Sequence, residues 1–217
     1  MAYDVVCISQ VTAAGGEAVG RMVAESLGFR YVDEEVVSTA AARAGIDPDA
    51  LLSIEHHKGF LTRLLEAIAA PPAEAESYFR PASRREYYPA GATPPALSFE
   101  EGRRLIQDAI VELARQGRVV IVAHAASFAL ASERGVLRVH VTASAKTRVE
   151  RLWIPNKLVS EDDHAKTIAE SDRRRAKYLA MFYEIERELP THYDLVVNTD
   201  ALAVERAVAA VVAVAQS

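Results

Sequence analysis

Apolar positions along the chain fall into two rhythms. Short apolar runs of strand length are "YDVVCIS" from residue 3, "RVVIVA" from 118, "VLRVHVTA" from 136 and "YDLVVNT" from 193. Between them the apolar residues recur at helical spacing. Val19, Met22, Val23 and Leu27 share one face, and Gly28 stands where a C-cap would. "FRYVD" reads as a short second strand leading into the helix "EEVVSTAAARAG", and residues 47–70 read as helical in two pieces. Ser98 and Glu101 form a capping box for a helix whose inner face is Leu105, Ile106, Ile110 and Leu113, ended by Gly117. The Ala/Val-rich segment 201–215 reads as a final helix packed on the sheet. Strands separated by helices predict an α/β fold of three layers, a central parallel sheet flanked by helices.

One stretch breaks the pattern. Residues 71–95 hold six of the nine prolines, interleaved with Tyr78, Phe79, Tyr87, Tyr88 and the pair Arg84 and Arg85. A regular helix or a central strand is excluded there. Because the sheet pattern resumes afterwards, residues 1–217 read as a single domain with a mobile helical and Pro-rich excursion at about 56–97. Such a long excursion is usually functional or mobile.

Composition narrows the class. Half of the 217 residues are hydrophobic and a quarter are charged, which predicts a packed core rather than disorder. The net charge of −5 gives no general attraction to nucleic acid, so anion binding must rest on local arginines. No apolar run has membrane-spanning length and the chain opens directly into a strand, so a cytoplasmic protein is expected. Cys7, the one cysteine, is expected to be a small buried hydrophobe. His56 and His57 are adjacent, His140, His164 and His192 are isolated, and none has metal-ligand spacing; no metal site is expected from protein ligands alone.

Candidate chemistry lies where strands turn into helices. The loop before the first helix contains Gly15 and Gly16, at the place where unpaired helical amides favour phosphate. The usual motif adds a Lys and then a Ser or Thr, and this loop has neither. The stretch "ESDRRRAKYLAMFY" places Asp172 and Arg175 on one helix face, and Arg175 and Tyr178 likewise. Arg148 and Arg151 follow the strand "VHVTAS" three apart. Arginine pairs bidentately with phosphate. The plainer alternatives are a solvated face for the triplet 173–175 and a salt bridge to a residue such as Glu150 for the pair.

The order of these stretches resembles the cytidylate kinase-like family of bacterial P-loop proteins. The family's opening, roughly I-S-R-E-Y-G-S-G-G-x-E-I-G, appears here as "ISQVTAAGGEAVG", and its F-Y-D-x-E-L-I as "RYVDEEVV". The family's I-I-V-G-R-x-A, D-R-x-R-A-x-Y and Y-D-L-x-I-N-T appear as "VIVAHAA", "DRRRAKY" and "YDLVVNTD". The resemblance implies a P-loop kinase fold and transfer of the ATP γ-phosphoryl group to a nucleoside monophosphate such as CMP, with Mg²⁺ as cofactor. It places Ala13, Ala14, Gly15, Gly16, Glu17 and Ala18 around the donor phosphates. It places Arg148, Arg151, Arg173 and Arg175 in the catalytic set, within a lid-like region at about 148–175. Asp33, His124 and Asp172 fall to substrate binding. The implied partner is a small-molecule nucleotide, not nucleic acid or membrane.

Several positions depart from the family pattern. Gln10 and His124 stand where it has Arg, Ala13 stands for Gly, Ala14 for Ser and Ala18 for Glu. Two cations near the donor phosphates are thereby absent. A weak kinase, a kinase with a shifted substrate and a nucleotide-binding relative without catalysis all fit. If there is no chemistry, segment 71–95 is the first candidate for contact between copies of the chain, a homo-oligomer.

Overall fold

A computed structural model of the chain describes residues 3–33, 99–123, 125–155 and 159–217. The expected helices over 34–70, the excursion at 56–97, Ser98 and His124 lie outside them. By compactness the chain divides into one unit of Met1–Asp33 with Ile110–Ser217, and another of Glu34–Ala109. The described elements are β1 (Val5–Gln10), α1 (Gly16–Leu27), β2 (Arg30–Val32), α2 (Phe99–Arg115), β3 (Val119–Val122) and α3 (Ala126–Ala129). They continue with β4 (Val136–Thr142), α4 (Ala145–Trp153), α5 (Glu161–Tyr183), a 3-10 turn (Pro190–His192), β5 (Leu195–Asn198) and α6 (Val204–Ala215).

All strand pairings are parallel, in the order β2-β3-β1-β4-β5. β1 is central: Val5 to Ile8 pair with Val119 to Val122 of β3, and Val5 to Gln10 with Val136 to Val141 of β4. Strand side chains alternate, so each strand contributes to both faces. On one face Val6, Ile8, Leu137, Val139, Val141 and Val197 form a dry core with Val19 and Val23 of α1 and with Ala207, Val208 and Val211 of α6. On the other face β1 presents Cys7 and Ser9, and β4 presents Arg138 and His140.

Helix α1 lies close on the sheet because residue 20 has no side chain. A Cβ there would stand 2.5 Å from Val122 Cγ2. Gly28 ends the helix in the left-handed conformation, as its sequence position suggests. Cys7 is fully buried, and desolvation pushes its thiol up to about 12, so it is the inert hydrophobe expected. No helix among the described residues is long and apolar enough to cross a membrane.

Candidate phosphate-binding site

A parallel sheet brings the carboxyl ends of all its strands to one edge. The chain leaves β1 for α1 at the point where its neighbours β3 and β4 lie on opposite sides, which is where such folds open a ligand crevice. Gly15, with φ at 86°, makes the turn into α1, and no side chain of its own caps that helix. First-turn amides of a helix lack internal acceptors and carry partial positive charge. Those of Glu17 and Ala18 are in this class.

Three elements grip the loop that precedes them. From α4, Arg151 Nη1 donates to the Ala13 carbonyl at 3.2 Å and Arg148 Nη1 to that of Thr12 at 3.5 Å. From α5, the Ser171 hydroxyl meets that of Thr12 at 2.5 Å. From the end of β5, the Thr199 hydroxyl lies 2.8 Å from the Ala14 carbonyl. Arg151 also donates to Thr199, at 3.0 Å to its hydroxyl and 3.0 Å to its carbonyl. All three partners of Arg151 are therefore neutral oxygens, and no carboxylate among the described residues pairs with it. Its positive charge sits beside the N-terminus of α1.

The sequence places Gln10 where a cation is expected, and the structure gives it another task. Its Oε1 accepts from the Gly16 amide at 2.8 Å, and its Nε2 donates to Glu17 at 3.3 Å. One helical amide is thus capped by a neutral carbonyl. A Cβ on Gly16 would come within 2.7 Å of the Gln10 side chain, so this cap depends on glycine.

Of the expected arginines, the structure brings Arg148 and Arg151 to the loop. Arg148 is buried and pairs with Asp172 through both Nη atoms, at 2.8 and 2.5 Å, and not with Glu150. Its buried Nε has no partner among the described residues. Asp172 thereby comes to the loop as well. Arg173 is exposed and pairs with Glu170 at 2.5 Å, in keeping with a solvated face. Arg175 points elsewhere, donating to Glu188 at 2.8 and 2.5 Å and to the Tyr193 hydroxyl at 3.3 Å. Asp33, at the carboxyl end of β2, pairs with Arg21 of α1 at 3.1 Å.

The Arg175 pair belongs to a polar network on the second sheet face. The Tyr193 hydroxyl also donates to Glu188, and His140 stacks on Tyr193 with ring centroids 4.7 Å apart. Ser9 and Ser127 share a buried hydrogen bond of 2.9 Å. Burial works to raise the Glu188 carboxyl, but Arg175 and Tyr193 outweigh it and hold the group below the usual carboxylate range. Thr199, Ser171 and Thr12 carry no signal by residue type. Only their places could have pointed to them: Thr199 in "NTD", Thr12 just past the first strand and Ser171 beside Asp172 in "ESDRRR".

The family described as cytidylate kinase-like matches residues 5–201. An uncharacterised protein from Eubacterium ventriosum is structurally similar with a TM-score of 0.63 at 13% identity, over 97% of this chain and 97% of that one. Shikimate kinase from Bacteroides thetaiotaomicron is similar with a TM-score of 0.54 at 16% identity, over 98% of both chains. At these identities the likeness carries the fold, which is that of the P-loop kinases. No curated protein matches the chain.

Proposed function

The chain belongs to the cytidylate kinase-like family, and from that premise we propose that it transfers the γ-phosphoryl group of ATP to a nucleoside monophosphate such as CMP. The observation that carries this reading is the arrival of Arg148 and Arg151 at the carbonyls of Thr12 and Ala13, beside the first turn of α1. Phosphoryl transfer demands positioning and neutralisation of charge more than covalent chemistry from the protein. The amides of Gly15, Glu17 and Ala18 and the charge of Arg151, which no carboxylate contacts directly, serve the donor phosphates. Arg148 exchanges half-exposed Asp172 for a phosphate oxygen. Asp33, His124 and Asp172 serve the acceptor side. The bond from the γ-phosphorus to the ADP oxygen breaks as one to an acceptor phosphate oxygen forms.

The polyphosphate fits this loop better than a protein-held metal does. Ala18 offers no hydroxyl where P-loops usually hold Mg²⁺, Glu17 is engaged by Gln10, and no cluster of three metal-ligating side chains occurs among the described residues. Magnesium therefore enters as the counter-ion of ATP, and no step is assigned to it.

A coupled assay with CMP, dCMP and UMP tests the reading. Turnover of one of them is expected, falling at least about 100-fold in Arg151→Ala, as for loss of a transition-state cation. No turnover of any would end the catalytic form.

A second reading is favoured by the Gln10 cap on Gly16 and by Glu17 at the place of the P-loop Lys: a nucleotide-binding regulatory relative without catalysis. Calorimetric binding of ATP without turnover selects it. Under either reading Gln10→Arg tightens ATP, because a neutral acceptor at the cradle is replaced by a cation.

A further inference from the structure

We infer that Thr199 is a positioning residue for the phosphate loop, an assignment that rests on the nucleotide-binding reading above. Thr199 is buried, at the end of β5, and touches both halves of the site. A hydroxyl has one proton to donate and lone pairs to accept with. Thr199 Oγ1 accepts from Arg151 Nη1 at 3.0 Å, so its own proton goes to a carbonyl. Two are in reach, Ala14 at 2.8 Å and Thr142 at 3.2 Å. The Thr142 carbonyl already accepts the Thr199 amide at 2.9 Å, which leaves the shorter contact, to Ala14, as the natural one.

Holding that carbonyl sets the next amide. A trans peptide is planar, with C=O and N–H pointing in opposite directions. The preceding peptide displays the consequence: Arg151 draws the Ala13 carbonyl one way, and the Ala14 amide turns the other way to the Val11 carbonyl at 3.0 Å. By the same geometry, Thr199 draws the Ala14 carbonyl toward itself and turns the Gly15 amide away from itself. That amide has no acceptor among the described residues, and it immediately precedes the first turn of α1. Thr199 thus presents a free N–H to an anionic oxygen. Through its hydroxyl and its carbonyl it also fixes the guanidinium of Arg151.

Calorimetry on the full chain with ATP and with inorganic tripolyphosphate tests this, using Thr199→Val, which keeps the shape, and Thr199→Ser, which keeps the hydroxyl. Thr199→Val is expected to bind both about tenfold more weakly, as for loss of one hydrogen bond to a charged system, while Thr199→Ser stays near wild type. In turnover the defect appears in the KM for ATP more than in kcat. Equal affinities of the two variants overturn the inference. As a measurement independent of variant folding, the Gly15 amide resonance of the wild-type chain should move on titration with tripolyphosphate; a bound ligand that leaves it unmoved also overturns the inference. Failure of the wild type to bind either probe removes the nucleotide reading itself, and this assignment with it.

Discussion

Two arginines in the packed helices α4 and α5 are almost equally hidden: the side chain of Arg148 is 4% exposed and that of Arg175 is 8% exposed. Each donates two hydrogen bonds to a carboxylate. The surroundings of the two pairs differ. The partner of Arg175, Glu188, is 21% exposed, accepts also from Tyr193, and sits against His140. The partner of Arg148, Asp172, is 43% exposed, and the Nε of Arg148 is left buried without an acceptor among the described residues. The Arg175 guanidinium leaves no buried donor without a partner, although His140 Nδ1 beside it has none among the described residues, and a charge so held has little left to offer a ligand. A buried charge whose counter-ion is half in water and whose donors are not all used can change partners. The first arrangement holds the second face of the sheet together, and the second is suited to meet an anion at the loop.

Breaking each pair separates these roles. Arg175→Ala leaves the partly buried Glu188 without its cation and should cost about 3 kcal/mol of stability in urea unfolding. Replacing both partners, Arg175→Met with Glu188→Leu, should recover most of that loss, since a well-packed apolar pair is often no worse than a buried ion pair. Arg148→Ala should cost less than about 2 kcal/mol, because Asp172 rehydrates easily. Its effect belongs in ligand affinity instead, roughly a 10- to 100-fold weakening for ATP from the lost charge-assisted contacts. Equal stability losses at the two sites, with ATP affinity untouched by Arg148→Ala, would erase the distinction drawn here.

Acid should find the Arg175 network first. Burial lowers the affinity of His140 for a proton, Glu188 works against that, and Arg175 adds to it, with the net direction downward. In the unfolded chain His140 takes a proton near its ordinary value, about 6.5, while the folded chain resists. Stability from this group is therefore complete above that pH and is lost as the pH falls toward the lower folded value. Glu188 is also held low, so its contribution is present above the ordinary carboxylate range and is lost below it. The two losses have the same sign and follow one another on acidification. Urea midpoints at pH 8, 6 and 5 should decline, and His140→Phe, which keeps the stack on Tyr193, should flatten that part of the profile. An unchanged slope in the variant would place the acid sensitivity elsewhere.

Sequence patterning was informative about the fold because the core is built from patterns. Short runs of Val and Ile bounded by turn residues read as buried strands, and Val19 and Val23 at helical spacing read as the face packed on them. Helix α3 gave no signal, since four residues of Ala, Ser and Phe are too few to display a period. At the site, Gly15 and Gly16 were legible because backbone geometry demands them, and Arg148 with Arg151 because their spacing places both on one side of α4. What stayed hidden was which partner each arginine finds. The packing of α4 on α5 brings Asp172 to Arg148, whereas the chain turning back after α5 brings Glu188 to Arg175, and neither approach is written in residue type. Gln10 read as an absent cation, and its capping of Gly16 follows from a close approach that sequence does not encode. Thr199 stood in a matched stretch, "YDLVVNTD", but its task was hidden for the same reason: a hydroxyl at a strand end becomes informative only once the loop beside it has coordinates.

The smallest expected effect bears on how the loop is held. Ala13 has φ at 63°, a left-handed conformation that costs an L-residue about 1–2 kcal/mol, and the family pattern has glycine at this position. Glycine would remove that cost but adds backbone freedom to the unfolded chain, worth about 0.5–1 kcal/mol. Ala13→Gly should therefore stabilise the protein by roughly 0.5–1 kcal/mol. Strain of this kind persists only where neighbours over-determine the backbone, and here the neighbour is Arg151, which holds the Ala13 carbonyl. In an Arg151→Ala background the loop can relax without help, so the same substitution should gain less. The shortfall, about 0.5 kcal/mol in a double-mutant cycle, measures how firmly the arginine pins the loop. Glu184, also left-handed with φ at 56° but at the end of α5, supplies the contrast. Glu184→Gly should stabilise by a similar amount in both backgrounds, because nothing at that end depends on Arg151. A full gain from Ala13→Gly in both backgrounds would mean that the loop holds its shape unaided, and that Arg151 is bound to it rather than shaping it.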